Sequence, residues 1–514
     1  MIDGAAGYVT EVGYTHGYYA ELNPLRVAPA LLNAGLVPPG IESACELGFG
    51  QGLSLNLHAC AGATHWSGTD INPGQAGLAQ ELARCAGSSC LLVDQSFEKF
   101  CARVDLPEFD FIGLHGIWSW ISDENRRVIV DFVDRKLRVG GVLYVSYNTL
   151  PGWASMVPVR ELLVEHAGVL GAEGAGIVGR IDGALDFAGR LLEASPRFVR
   201  ANPQVAERMK RIREQDRRYL AHEYFNRDWV PMGFARMAEW LRPARLDWAC
   251  SANWLDAVDG INLTTGQQTL LRSIPDALFR QTVRDFCVDQ HFRRDYWIKG
   301  ARALTALEQG ERLRRLRFVL TRRRDEVELK ASGALGSVTL QQEIYGPLLD
   351  ALSDHSPRSL GQLERELQGA GVGSAQLLQA VTVLGGTGIL QPAHEDDVVA
   401  QARERTDRMN AHLMHKARSS AEIGYLVSPV TGGGIAVPRL HQLFLLARQS
   451  GHGKPQDWAR FVWHLMALQG ERLLEADGPL ETAERNIAEL TLRAQDFADR
   501  RLPVLQALKI ASAG

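Results

Sequence analysis

Ser43-Ala44-Cys45-Glu46-Leu47-Gly48-Phe49-Gly50-Gln51-Gly52 decides the fold of this chain. An acid closes a short apolar run, and glycines follow at alternate positions, 48, 50 and 52. A strand that ends this way turns sharply, brings bare main chain up to a ligand and opens a helix. A dinucleotide fingerprint spaces its glycines as G-x-G-x-x-G, and Leu53 stands where the third would fall. No Gly-Lys-Ser/Thr follows, which excludes a phosphate-cradling P-loop. Acid-x-G-x-G-x-G suits a cationic, phosphate-free nucleoside cofactor, S-adenosylmethionine.

Outward from this turn, residues 41–147 alternate short apolar runs with helical patterns. Strands are predicted at 43–47, 65–70, 90–93, 109–114 and 142–147, and helices at 53–59, 75–86, 97–104 and 124–137. This is the pattern of βαβ units and a parallel sheet. Ser122 with Asp123 and Glu124 predicts a helix start. Gly140-Gly141 predicts the turn into the fifth strand. Strands at 246–254 and 292–299 are expected as the antiparallel pair that closes a seven-stranded sheet. The expected fold is α/β: a Rossmann-like, mostly parallel sheet with a helical insert, a winged-helix-like unit and a helical C-terminal domain.

Three acids follow the ends of successive strands: Glu46, Asp70 and Asp94. Strand C-termini in a doubly wound sheet line one crevice, where ligands bind. Asp70, with Ile71 beside it, is placed to accept hydrogen bonds from both ribose hydroxyls, and Asp94 to receive the adenine amino group. Glu46 is placed to hold the methionine ammonium, directly or through water. With Gly48, Gly50 and Gly52 these form the expected cofactor site. A single acid of this kind is often only a helix cap; three in register with the glycine turn favour cofactor binding.

The fourth strand runs into Leu114-His115-Gly116-Ile117-Trp118-Ser119-Trp120. Aromatic faces attract cations, so Trp118 or Trp120 is expected to flank the methyl donor or a cationic acceptor, the other being packing. His115 is expected to hydrogen-bond backbone or cofactor more readily than to act as a base. The fifth strand ends in Tyr147-Asn148-Thr149-Leu150-Pro151-Gly152-Trp153, which predicts an acceptor-pocket loop. Tyr8, Tyr14, Tyr18 and Tyr19 precede the first strand, and an aromatic lid over the cofactor is one reading of them. The expected acceptor pocket is Tyr14, Tyr18, His115, Trp118, Tyr147 and Asn148. No metal site is expected: His222-Glu223 lacks the second His of a zinc-protease motif. His291 is expected to join Asp289 and Asp295 in an ion-pair network.

At 514 residues the chain has room for roughly three domains. A net charge of −4 argues against a general nucleic-acid binder. The first residues lack a secretory signal, no run of apolar residues is long enough to span a bilayer, and the seven cysteines show no paired spacing. The expectation is a cytoplasmic protein with reduced thiols. An arginine-rich run at 312–324 is followed at once by Asp325, Glu326 and Glu328, which blunt a phosphate-binding field. Residues 342–393 show the helix spacing of a small winged-helix unit, and 400–514 are mainly helical with a break at Thr431-Gly432-Gly433-Gly434.

These residues resemble the bacterial class I S-adenosylmethionine-dependent methyltransferases that carry a methyltransferase regulatory domain. The likeness rests on the Glu46–Gly52 turn, on the 114–120 and 144–153 stretches, on Tyr219-Leu220-Ala221-His222-Glu223-Tyr224 and on Phe292-Arg293-Arg294-Asp295. It implies a core at 1–154, a helical insert at 155–218 that mediates dimerisation, a regulatory region at 219–300 completing the sheet, a middle region at 301–395 and a C-terminal domain at 396–514. It also implies relatives that methylate lysine on bacterial outer-membrane proteins. Phe49 departs from the small residue or Cys usual between the first two glycines. The Asn-Pro-Pro-aromatic motif of many amino-group methyltransferases is absent after the fourth strand, so Asn148 and Pro151 cannot be given its role. Methylation of a protein lysine is the leading expectation, because the C-terminal region exceeds what a small-molecule enzyme needs. The alternatives are O- or N-methylation of a small metabolite or saccharide, and a non-catalytic cofactor-sensing module.

Overall fold

The computed structural model describes residues 16–475 and 478–512. One sheet contains β1 (Ser43–Leu47), β2 (His65–Thr69), β3 (Leu91–Val93), β4 (Phe109–Leu114), β5 (Leu137–Asn148), β6 (Leu246–Ser251) and β7 (Phe292–Lys299). Its order is β3-β2-β1-β4-β5-β7-β6. The first five strands are parallel, and β7 runs antiparallel between β5 and β6. Both faces are apolar, as a covered parallel sheet requires: Trp66, Phe111, Tyr144 and Tyr296 pack on one side, Ile112, Leu143 and Trp297 on the other.

The crossovers use α2 (Leu53–Ala61), α3 (Pro73–Ala86), α4 (Phe97–Cys101) and α5 (Asp123–Lys136), and α1 (Pro24–Asn33) precedes the sheet. Side-chain oxygens of Asn72, Ser96 and Ser122 accept from the first free amides of α3, α4 and α5. Strand β1 pairs with both β2 and β4. The connections reverse direction there, and the C-terminal ends of β1 and β4 open a crevice.

Several local expectations change; the strand expected at 246–254 ends at Ser251, and the fifth strand starts at Leu137. Gly140-Gly141 lies inside β5, where the register with β4 slips between Phe109 and Phe111. Gly140 takes φ +85°, and a Cβ on Gly141 would lie 2.9 Å from the Arg138 carbonyl oxygen, so the pair forms a bulge instead of a turn. The helix expected at 97–104 stops at Cys101.

Helices Val157–Val169, Gly176–Glu193 and Gln204–Arg213 form the insert, with Arg217–Tyr224 packed on them. Farther on, helices Gln342–Ala351, Leu360–Leu367 and Ser374–Gly386 pack beside a small sheet. Its central strand, Arg317–Leu320, comes from upstream and lies between Arg358–Ser359 and Leu390–Pro392. The Arg-rich run is largely paired: Arg314 with Glu364, Arg317 with Glu395 and Asp396, Arg323 with Asp325, and Arg324 with Asp350. The glycine-rich break belongs to a hairpin, Tyr425–Ser428 with Gly433–Ala436, which packs against α2. Among the described residues no helix is long and apolar enough to cross a membrane.

Candidate functional site

A cavity of about 590 Å³ opens at the C-terminal ends of β1, β2, β4 and β5. That size suits a nucleoside-scale ligand with room beside it. The glycine turn forms its floor. Gly48, Gly50 and Gly52 all take positive φ, +74°, +57° and +68°. A Cβ on Gly52 would meet the Ala79 Cβ at 2.4 Å, whereas one on Gly50 would meet nothing within 4 Å. Gly52 therefore serves the packing of α2 on α3, and Gly50 leaves main chain bare.

Glu46 and Asp70 stand side by side at the tips of β1 and β2. Asp70 is held by its neighbours: the Gly50 N–H donates to Oδ2 (2.8 Å) and the Asn72 N–H to Oδ1 (2.9 Å). Burial pushes the Asp70 carboxyl up to about 6, and those two amides partly offset the rise. Burial, and secondarily the charge of Asp70, holds Glu46 well above the ordinary carboxylate range. Glu46 Oε2 is buried and has no hydrogen-bond partner among the described residues. Gln95 Oε1 is orphaned in the same way. Two unmet acceptors and an acid pair in one cavity fit a ligand that brings a cation and hydrogen-bond donors. S-adenosylmethionine has both, in its ammonium, ribose hydroxyls and adenine amine.

Most of the expected cofactor residues line the cavity: Glu46, Gly48, Gly50, Gly52, Asp70, Ile71 and His115. Asp94 does not. It is exposed beyond the end of β3, and Gln95 and Ser96 line the wall in its place. The Thr69 hydroxyl donates to the Gln95 carbonyl oxygen (2.5 Å) and accepts from the Gln95 N–H (3.2 Å), which turns Gln95 inward.

The aromatic expectations shift by one or two residues. Tyr14 lies outside the described residues. Tyr18 packs on the C-terminal hairpin, its ring 5.3 Å from that of Tyr425, and Tyr19 lines the cavity. Trp118 is buried in the core, with Nε1 3.4 Å from the Met232 sulfur, while Trp120 lines the cavity. Tyr147 faces the far side of the sheet and donates its hydroxyl to Asp295 Oδ2 (3.1 Å), because alternate residues of β5 point oppositely. Its neighbour Asn148 lines the cavity. His291 also lines it, 3.8 Å from Asp289, but Asp295 is engaged by Arg293 (2.7 Å) instead of by His291.

His115 accepts or donates at Nδ1 with the Tyr144 hydroxyl (2.7 Å) and stacks on Tyr19 at 3.6 Å between ring centroids. Burial pulls its pKa down to about 4, so the ring is neutral near pH 7. Beside it, with the Phe292 ring 6.2 Å away, the cavity has an aromatic arm lined by Trp120, Trp153, Tyr219, Tyr224 and Phe292, with Asn148, His222 and Glu223 among them. Trp120 Nε1 donates to the Glu223 carbonyl oxygen (3.4 Å), which ties the two walls together. The spacing of residues around the glycine turn does not place Tyr219, His222, Glu223 and Tyr224 here; their only sequence signal was membership in a recurring motif.

Residues 216–299 match the family model described as a predicted methyltransferase regulatory domain. The chain is 40% identical over 510 residues to uncharacterized protein sll1526 of Synechocystis sp., covering 98% of this chain and 99% of that one. This chain belongs to the class I S-adenosylmethionine-dependent methyltransferases with a methyltransferase regulatory domain. Uncharacterized protein RP789 of Rickettsia prowazekii is 26% identical over 297 residues, 55% of this methyltransferase and 51% of its relative. The solved structure of PKMT2 from Rickettsia typhi in complex with AdoHcy shares the fold, with a TM-score of 0.68 and 18% identity over 94% of this methyltransferase and 98% of that chain.

Proposed function

We propose that this methyltransferase transfers a methyl group to the side-chain amine of a protein lysine. The observation that carries the reading is the arm beside His115, where five aromatic side chains surround the Glu223 and Asn148 positions. Such walls attract an ammonium and, once water is excluded, favour the neutral amine that can react. The name PKMT2 of the Rickettsia typhi neighbour points the same way.

S-adenosylmethionine, when bound, supplies a methyl carbon already activated by a positive sulfur. Glu46 would hold its ammonium, Asp70 its ribose hydroxyls, and the Gln95–Ser96 edge its adenine. Tyr19 and His115 wall the passage between the cofactor end and the arm, and Asn148 orients the acceptor. Alignment of acceptor and donor supplies most of the rate. His115 is a poor base, because a pKa near 4 matches badly with proton removal at neutral pH. It serves instead as a neutral, oriented ring.

Three further readings go with this one. The unpaired state of all seven cysteines supports a cytoplasmic location. Exposed Val169, Leu170 and Phe198 on the insert support a homodimer there. The pairing of the arginine run with acids speaks for a protein over a nucleic acid as partner.

The test is incubation of purified protein with methyl-labelled cofactor and cell lysate, followed by acid hydrolysis of labelled bands. Methylated lysine in protein is the expected product. Label only in small extractable molecules would replace the reading with metabolite methylation, and binding without turnover would replace it with cofactor sensing.

A further inference from the structure

The arm is not held by the sheet alone. Two arginines of the helical insert reach into its outer wall. Arg160, from helix Val157–Val169, is buried; its Nε donates to the Tyr224 carbonyl oxygen (2.8 Å), and its Nη2 donates to the carbonyl oxygen of Asn226. The same guanidinium lies 5.4 Å from the ring of Trp229. Arg208, from helix Gln204–Arg213, lies 5.3 Å from the ring of Trp153 and donates from Nη1 to the Gly152 carbonyl oxygen (3.0 Å). Trp153 stands edge-on to Trp229 (5.1 Å between centroids) and to Tyr224 (5.9 Å). One guanidinium thus fixes the end of the Tyr219–Tyr224 segment, the other fixes the loop after β5, and the aromatic rings between them interlock.

The loop itself is a tight fit. A Cβ on Gly152 would lie 2.2 Å from the Gln290 carbonyl oxygen, and the Gly152 N–H donates to that oxygen (3.1 Å). The inner side of the loop is therefore set by β7's approach, and the outer side by Arg208. Removing Arg208 frees Trp153 to turn without unseating the loop. Cations over aromatic faces both orient the ring and exclude water from it.

We infer that the helical insert is a positioning element of the acceptor arm: Arg160 and Arg208 hold Tyr224 and Trp153 in the geometry that receives the acceptor amine. This rests on the reading of the arm as an amine site. It assigns the insert a role in recognition separate from any part in dimerisation. Neither arginine lines the cavity, so both act through the residues they hold.

The probe is n-butylammonium, the charged end of a lysine side chain, titrated into protein saturated with S-adenosylhomocysteine and followed by calorimetry. The expected result is saturable binding by the wild type, weakened about tenfold in Arg208→Gln and Arg160→Lys. Arg208→Lys, which keeps a cation over Trp153, should recover part of the loss. The affinity for S-adenosylhomocysteine should stay within twofold of wild type throughout, which a general loss of structure would not allow. Wild-type protein that fails to bind n-butylammonium sinks the amine reading itself. Binding that both variants leave unaltered sinks only the role of the arginines, as does a parallel loss of nucleoside affinity.

Discussion

Tyr18 and Tyr19 are consecutive, and their rings belong to different parts of the molecule. Tyr19 stacks on His115 over the cavity, at 3.6 Å between centroids. Tyr18 sits against Tyr425 and the bare backbone of Gly433 and Gly434 in the C-terminal hairpin. His58 of α2 spans the same joint, with Nδ1 3.3 Å from the Gly432 carbonyl oxygen and Nε2 3.4 Å from that of Tyr19. Asn23 Nδ2 adds a bond to the Thr431 carbonyl oxygen (2.9 Å). The segment that carries Tyr19 is thus strapped to the sheet domain by the hairpin.

Tyr18→Ala should therefore weaken cofactor binding although Tyr18 lies outside the cavity. Loss of a partly buried aromatic anchor costs at most about 3 kcal/mol of local packing, and a fraction of that reaches Tyr19. Calorimetry with S-adenosylhomocysteine should show an affinity about tenfold lower, with Tyr18→Phe close to wild type. Equal affinities in Tyr18→Ala and wild type would mean that the hairpin does not hold the strap.

The acid pair makes cofactor binding depend on pH. Ordinary Asp and Glu titrate near about 3.9 and 4.3; in the fold both Asp70 and Glu46 are raised, Asp70 to about 6. The fold therefore keeps protons that the unfolded chain releases. The Asp70 share of this stability is complete below about pH 4 and is lost as pH rises through about 6. A bound cation prefers the carboxylates, so affinity for S-adenosylmethionine should rise about tenfold from pH 5 to 7.5, with proton release. Calorimetry in buffers of unequal ionisation enthalpy measures both. Asp70→Ala should abolish measurable binding at any pH, since a charge-assisted hydrogen bond is worth about 1.5–3 kcal/mol and two are lost. A flat pH profile would remove the pair from the cofactor's charged groups.

The last two glycines of the turn should fail in different ways. Gly50→Ala puts a methyl into open cavity and costs about 1–2 kcal/mol of stability for its left-handed backbone; its main effect is on cofactor affinity. Gly52→Ala adds a clash with Ala79 and should cost about 2–5 kcal/mol. Urea unfolding separates them. Equal unfolding midpoints would show that α2 and α3 give way freely.

How much of this was legible follows from distance along the chain. The Glu46–Gly52 turn, the strand pattern and Asp70 are local signals, because one strand end and one turn specify them. Displacements of one or two residues arise where the phase of a chain segment matters. Of Tyr147 and Asn148, both expected in the pocket, strand alternation leaves only Asn148 on the cavity; Trp120 lines it in place of Trp118 through a short helical turn, and Gln95 in place of Asp94 through the bend after β3. Gly140-Gly141 carries the composition of a turn, yet neighbouring strands turn it into a bulge. The arm joins Trp120 and Asn148 to Tyr219, Tyr224 and Phe292. No local pattern encodes that convergence, which is set by where β7 and the insert dock.

The bend after β3 yields the sharpest remaining test. Asp94 carries the formal charge that sequence spacing assigns to the adenine amine, but its side chain is exposed and off the cavity. Gln95 lines the cavity with a buried carbonyl oxygen that lacks a partner among the described residues. An adenine amine donating to that oxygen would satisfy both. Asp94→Ala should leave the affinity for S-adenosylhomocysteine within twofold of wild type. Gln95→Ala should lower it about fivefold to twentyfold, the worth of one hydrogen bond of about 1–1.5 kcal/mol plus lost packing. The discriminating measurement repeats the titration with the analogue whose adenine amine is replaced by hydrogen. Wild type should lose affinity for that analogue and Gln95→Ala should not. If Asp94→Ala shows the larger loss, the loop after β3 closes inward on the nucleoside and the acid regains the role its position in the sequence implies.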